Sequence, residues 1–370
     1  MIYFDNAANK KVDEFTTEKL TDYLLKFGGN AESRHSYAND FRNLLKEKEK
    51  NLFAEINLNS YEGLYFNSGT EIFNFIRFFI KEKAGNYNIV TSKIEHPSVL
   101  ANLQNSKAEI RYLKINETHQ FDIESLSEII NDKTFMTVLN FIQSETGLVQ
   151  NLDTIIAKIR KINPNTLILI DAIQGFNKHP LPSNADFYAV SNHKICGLAG
   201  AVLISRKYLN VNLHALQNKF RHEQYLQGRI EIPQLLCMYD YLQENYLKQA
   251  ENLVKIRTLN NFIRTKITND FCGKCYCKFS QEETTPYILQ IIFPNYDGAV
   301  LAGLLAEEDI MVSSGSACLA ESKTPSKALK ELNFSKQELF STLRLSFSPS
   351  NTIQEAEIFI EKLAQIIKNY

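Results

Sequence analysis

Between about residues 60 and 205, short β-rich runs alternate with helical stretches, and no other feature of the chain restricts its fold as much. The runs are "LYF" (64–66), "NIVTS" (88–92), "FMTVLNF" (135–141), "TLILID" (166–171), "FYAVS" (187–191) and "AVLIS" (201–205). Helical patterns such as "LDTIIAKIRKI" (152–162) lie between several of them. This alternation predicts a mostly parallel sheet covered by helices on both faces, an α/β architecture. Ligands of such sheets sit beyond the carboxyl ends of the strands, so the residues just after each run are where chemistry is expected.

A chain of 370 residues is too long for one ordinary core and implies about two domains. The large domain is expected over residues 12–245, and a smaller α+β C-terminal domain over 246–370 together with 1–11. The last helix of the small domain opens with the capping box Thr352-Ile-Gln-Glu355, and Ala356, Phe359, Ile360, Leu363, Ile366 and Ile367 give it one apolar face.

A net charge of −1 offers no electrostatic footprint for nucleic acid or an anionic membrane. No apolar run approaches the roughly 18 residues of a spanning helix. "MIYFDNAANKK" lacks the apolar core of a signal peptide, which points to the cytoplasm. Six cysteines in a chain of this length fit a reducing compartment. "CGKCYC" (272–277) supplies three thiolates without a second pair or a nearby histidine, so it reads as a turn entering the strand "PYILQIIF" (286–293), and no metal is expected.

The residues past the runs carry more. Ser68-Gly-Thr-Glu71 is a capping box that begins a helix, and a helix start with Gly69 and the Thr70 hydroxyl suits a phosphate. His96 stands before Pro97, placed to stack on a flat ring or move protons. Asp171 ends a wholly apolar strand, where a carboxylate is costly without a partner, and Gln174 follows three residues later. Ser191, His193 and Lys194 follow another apolar run, and a lysine desolvated at a strand end becomes nucleophilic. A phosphate cradle, a ring-stacking group, a buried carboxylate and a lysine on one sheet edge fit a pyridoxal phosphate site.

The chain resembles the cysteine desulfurases of the class V aminotransferase group, which are fold type I pyridoxal phosphate enzymes. "YFDNAAN" (3–9) is similar to that family's "YLDNAAT", "EHPSVL" (95–100) to "EHxAVL", "ETGLVQ" (145–150) to "EIGVVQ", and "DAIQ" (171–174) to "DATQ". "SNHK" (191–194) is similar to "SGHK" and "LRLSFS" (343–348) to "IRFSLG", while "SSGSAC" (313–318) matches the family's cysteine loop. The resemblance implies that Lys194 carries the cofactor as its Schiff base, that Asp171, Gln174 and His96 hold the ring, and that Thr70, Ser191 and His193 hold the phosphate. It implies that Arg344 pairs with the substrate carboxylate and that Cys318, in a loop of small and polar residues, accepts the sulfur, with His96 as its proton acceptor. L-Cysteine is then the substrate, L-alanine the product, and a sulfur-acceptor protein the partner, as in iron–sulfur cluster assembly.

The chain also departs from the family. Ser144 stands where the family has an asparagine facing cofactor and substrate, "SGTEIFN" is one residue short of the phosphate segment, and "ANK" replaces "ATT" near the N-terminus. The family is homodimeric, and its threonine that reaches the neighbouring subunit's phosphate is missing; Arg229 stands near its place. An aminotransferase or a selenocysteine or cysteine-sulfinate lyase would not need a travelling thiol. A non-catalytic scaffold would need neither Lys194 nor Asp171.

Overall fold

The computed structural model describes residues 1–27, 29–30, 33–83, 85–209, 211–223, 230–315 and 325–369. A short β1 (Ile2–Tyr3) precedes the strands of the central sheet. These are β2 (Tyr61–Phe66), β3 (Asn88–Ser92), β4 (Glu109–Leu113), β5 (Thr134–Asn140), β6 (Leu167–Asp171), β7 (Phe187–Ser191) and β8 (Ala201–Arg206), in the spatial order β2-β8-β7-β6-β5-β3-β4.

From β4 to β7 all neighbours are parallel, as the alternating runs predict, whereas β8 runs antiparallel to both β7 and β2. The reason is length. Only residues 192–200 separate β7 from β8, and a parallel crossover needs about a dozen residues or more. The sequence reading also missed β4. Of "EIRYL" only Leu113 is buried, and charged residues on an edge strand replace the apolar run that marks an inner one.

Period-2 geometry sends alternate side chains of each inner strand to opposite faces. Leu169, Phe187, Ala189 and Leu203 join one apolar cluster with Ile72, Phe75, Ile76 and Phe79 of the helix Gly69–Glu82. Ile168, Ile170, Tyr188 and Val190 join another with Ile155, Ile156 and Ile159 of the helix Leu152–Ile162. Each large side chain fully buried this way contributes about 1.5–3 kcal/mol. This packing holds the strand ends rigid where the site lies.

A third apolar cluster is built from the chain ends. It joins Phe4 to Ile256, Leu259 and Ile263 of the helix Gln249–Asp270 and to Phe359 and Leu363 of the helix Ile353–Asn369. It also takes in β9 (Ile288–Ile292) and β11 (Thr342–Ser346), an antiparallel pair, while β1 pairs in parallel with β10 (Ile310–Met311). The expected capping box is present: Glu355 N–H donates to Thr352 Oγ1 at 3.2 Å, and Thr352 N–H donates to Glu355 Oε2 at 2.9 Å. The Cys272–Cys277 segment is a turn whose Tyr276 pairs with Ile292. No described helix is long and apolar enough to cross a membrane.

Candidate active site

The carboxyl ends of three parallel strands lie side by side, with β7 running two residues further. Asn140 is in register with Asp171, and Asp171 with Ala189 two residues before the end of β7. Asp171 is buried at this edge, where one carboxylate oxygen accepts the Ile173 N–H at 3.0 Å. Burial pushes its pKa up to about 6, against the lowering effects of that hydrogen bond and of Lys194. Gln174, one turn further, donates from Nε2 to the Ala7 carbonyl at 3.0 Å; its Oε1 is buried with no partner among the described residues.

Beyond β7, residues 192–194 form a short 3₁₀ turn that presents Lys194, whose ammonium donates to the Ala8 carbonyl. The N-terminal segment therefore crosses the site. It is pinned there by Lys10 N–H on the His193 carbonyl at 2.9 Å. The crossing needs Gly197, with φ +83°, because a Cβ there would stand 2.4 Å from the Lys10 carbonyl oxygen.

Ser191 Oγ and His193 Nδ1 lie 2.6 Å apart. Next to Ser191 begins the helix Gly69–Glu82, capped by Ser68 Oγ, which accepts the Glu71 N–H at 3.2 Å. The Glu71 carboxylate reaches back to the N–H of Asn67, one residue beyond the position a capping box predicts. A Cβ on Gly69 would stand 2.8 Å from Ile173 Cδ1, so glycine lets the helix start approach the β6 turn. Thr70 is exposed on that first turn.

His96 is the N-cap of the helix Pro97–Gln104 and accepts the Ser98 N–H through Nδ1 at 3.2 Å. Burial, then the charge of Lys194, lowers its pKa to about 4. Burial, then Lys194 and His96, brings His193 down to about 4 as well. Both imidazoles are thus neutral near pH 7.

Arg344, in the middle of β11, is 4% exposed. It donates from Nη1 to the Ser144 carbonyl at 3.1 Å, and its Nη2 lies 2.9 Å from Asp5 Oδ1. Thr70, His96, Ser144, Asp171, Gln174, His193, Lys194 and Arg344 all line one cavity of about 250 Å³, and Ser191 supports it through His193. Cys318 and Arg229 lie outside the described residues.

Sequence reasoning assigned no role to several contributors. Asp5 and the carbonyls of Ala7 and Ala8 lie in the "YFDNAAN" segment, which the resemblance marked without saying what these residues touch. Asn140 lines the cavity with its Oδ1 unpartnered among the described residues. It ends β5 as Asp171 ends β6, and that shared strand-end position was a usable signal. Behind it, Glu95 is 2% exposed and accepts from Ser92 Oγ and the Asn140 N–H. Burial pushes its carboxyl far up.

Residues 2–230 and 231–359 match the family described as Aminotransferase class-V, which is nearly the whole chain. The chain belongs to the class-V aminotransferase family. Among its relatives is a protein named cysteine desulfurase IscS from Neisseria meningitidis serogroup C (strain 053442), 27% identical over 376 residues, covering 97% of this chain and 90% of that one. A solved structure titled NifS-like protein superposes with a TM-score of 0.86 at 21% identity, covering all of both chains. A NifS-like protein from Rickettsia africae ESF-5 gives a TM-score of 0.81 at 22% identity, covering 100% of this chain and 99% of that one. The two structural likenesses establish the fold.

Class-V aminotransferases carry pyridoxal 5′-phosphate, and this wall suits it. An aromatic nitrogen bearing a proton matches the buried carboxylate of Asp171. A ring hydroxyl matches the unpartnered Gln174 Oε1, and an anion matches the capped helix start beside Ser191.

Proposed function

We propose that this protein is a pyridoxal 5′-phosphate-dependent cysteine desulfurase. It converts L-cysteine to L-alanine and leaves the sulfur as a persulfide on Cys318. The observation that carries the reading is the convergence of Lys194, Asp171, Gln174 and Arg344 on one cavity, together with relatives that bear this name.

Bound there, pyridoxal 5′-phosphate supplies the electron sink for chemistry at the substrate α-carbon. Lys194 would hold it through Nζ, and the lysine amine would serve as the base at the substrate α-carbon. Asp171 would hold a proton on the ring nitrogen, Gln174 would engage the ring hydroxyl, and neutral His96 would stack on the ring. Thr70, Ser191, His193 and the start of the helix Gly69–Glu82 would hold the phosphate. Arg344 takes the substrate carboxylate, a match for the planar guanidinium, and Ser144 borders that position.

The thiolate of Cys318 attacks the substrate sulfur. A sulfur–sulfur bond forms and the carbon–sulfur bond breaks. The electron pair leaves with the three-carbon fragment, which gains a proton and ends as alanine. An ordinary thiol is only a few per cent ionised near neutral pH, so the thiol proton needs an acceptor. His96 takes it only transiently, because burial disfavours its charged form.

The same reading makes the protein a cytoplasmic homodimer that hands sulfur to an acceptor protein, with Arg229 reaching the other subunit's phosphate. Residues 12–245 form the cofactor domain, and 1–11 with 246–370 form the small one. The separate apolar cluster of the chain ends supports that division.

The test is incubation with L-cysteine and a reductant, with alanine and sulfide measured together. The two should appear in equal amounts, and Cys318→Ser should bind cofactor yet release almost no sulfide. If Cys318→Ser keeps full turnover, the activity is another class-V reaction.

A further inference from the structure

Behind Lys194 lies a second, smaller cavity of about 40 Å³, which no step of the proposed reaction uses. Three lysines reach it, Lys10, Lys178 and Lys194, and no aspartate or glutamate lines it. Two of the three are balanced elsewhere. Lys10 Nζ is 2.8 Å from Asp13 Oδ2, and Lys194 feels Asp171 in the cofactor cavity. Lys178 is not balanced. Among the described residues its ammonium has no hydrogen-bond or ion-pair partner, and the Tyr287 ring lies 5.7 Å from Nζ. The carboxamide of Asn252, on the same wall, is likewise engaged by no other described group.

We propose that this cavity binds a small inorganic anion of the halide class, held by the ammonium of Lys178 in the combined field of Lys10 and Lys194. Lys178 is partly exposed, so water screens part of its charge, but three lysines and no carboxylate around one cavity still favour an anion there. Burial first, then Lys194 and Lys10, pushes the Lys178 amine down to about 7, the direction expected of clustered positive charge. The remaining ionisable groups on the wall, Tyr241 and Tyr287, are both raised by burial and stay neutral, so neither competes as an anion.

Size selects the class of ligand. One water needs roughly 10–15 Å³ of such space, so a halide fits within 40 Å³, whereas a phosphorylated metabolite does not. Lys10 stands where the family resemblance has a threonine, so this chain adds positive charge to the cavity. The cavity shares Lys194 with the proposed cofactor site, but the bromide readout does not depend on turnover, so it can fail without the desulfurase reading failing.

The experiment uses the holoenzyme and sodium bromide. Crystals soaked in bromide should show an anomalous peak within hydrogen-bonding reach of Lys178 Nζ, and Lys178→Met crystals should not. In solution, bromide replacing gluconate at fixed ionic strength should raise the Tm of the wild type with saturation, and Lys178→Met and Lys178→Gln should lose that rise. No peak in the wild type, a peak that persists in Lys178→Met, or a Tm rise equal in all three proteins would overturn the proposal. A peak without any saturable Tm rise marks an adventitious ion only and overturns it too.

Discussion

The guanidinium of Arg344, which lines the candidate active-site cavity, and the carboxylate of Asp5, 339 residues away in the chain, form an ion pair of 2.9 Å. The backbone helps to set the pair, because Asp5 bridges in parallel to Ser346, two residues beyond Arg344. Arg344 Nε is buried and has no partner among the described residues, while the side chain lines the cavity. The N-terminal segment thus holds the arginine in place without using all of its hydrogen-bonding capacity.

Breaking the pair from one side should be costly. Arg344→Ala should lower stability by about 1–3 kcal/mol, since half-buried Asp5 loses its partner and the buried guanidinium leaves a gap. Asp5→Ala combined with Arg344→Ala should cost less than the two single changes added together. Denaturant midpoints at unchanged slope provide the measurement. Arg344→Lys should keep the charge but lose the paired hydrogen bonds, lowering kcat/KM for L-cysteine roughly 10- to 100-fold, the equivalent of one charged hydrogen bond. Equal kcat/KM in wild type and Arg344→Lys would remove Arg344 from the carboxylate site.

The cofactor-free protein should show two opposed pH effects. His96 titrates near 4 when folded, against about 6.5 when unfolded. The unfolded chain binds the extra proton between those values, so this contribution is present above about pH 6.5 and is lost as pH falls through 4. Asp171 behaves in the opposite way. Its folded value of about 6 exceeds the unfolded value of about 3.9, so its contribution is present below pH 3.9 and is lost as pH rises through 6. His96→Asn should therefore flatten the loss of stability on acidification from pH 6.5 to 4, and Asp171→Asn should steepen it. Each effect is on the order of 2–3 kcal/mol at most. Urea unfolding at half-unit pH steps would read both.

Lys194→Ala should abolish turnover and leave the protein folded, because Lys194 lines the cavity, where water can take its place on the Ala8 carbonyl. Borohydride should fix the cofactor to the wild-type peptide containing residues 191–194 and to no peptide of the variant. A cofactor label on another lysine would reassign the site.

Gly197→Ala should destabilise by more than about 1 kcal/mol and weaken cofactor binding together. A Cβ there meets the Lys10 carbonyl at 2.4 Å and must also take a φ of +83°. Moving Lys10 shifts Ala7 and Ala8, the acceptors of Gln174 and Lys194. Full cofactor affinity in a destabilised Gly197→Ala would separate the crossing segment from the site.

The order of elements was legible because it depends on local chemistry. Runs such as "LILID" and "FYAVS" are apolar up to their last residue, the composition of a strand buried on both faces. Asp171, which closes its run, and Lys194, three residues past the next one, were legible for the same reason, since polar groups that follow an apolar run are brought out at the sheet edge. The strand "EIRYL" was not legible, because an edge position relaxes the demand for apolar side chains. The antiparallel course of β8, the ion pair of Asp5 with Arg344, and the carbonyls of Ala7 and Ala8 over Gln174 and Lys194 were settled only in the folded chain. Side-chain composition acts over a few residues along the chain. These partners lie as much as 339 residues apart, and they meet only because the sheet order and the packing of the chain ends carry the first ten residues across the carboxyl edge of the sheet.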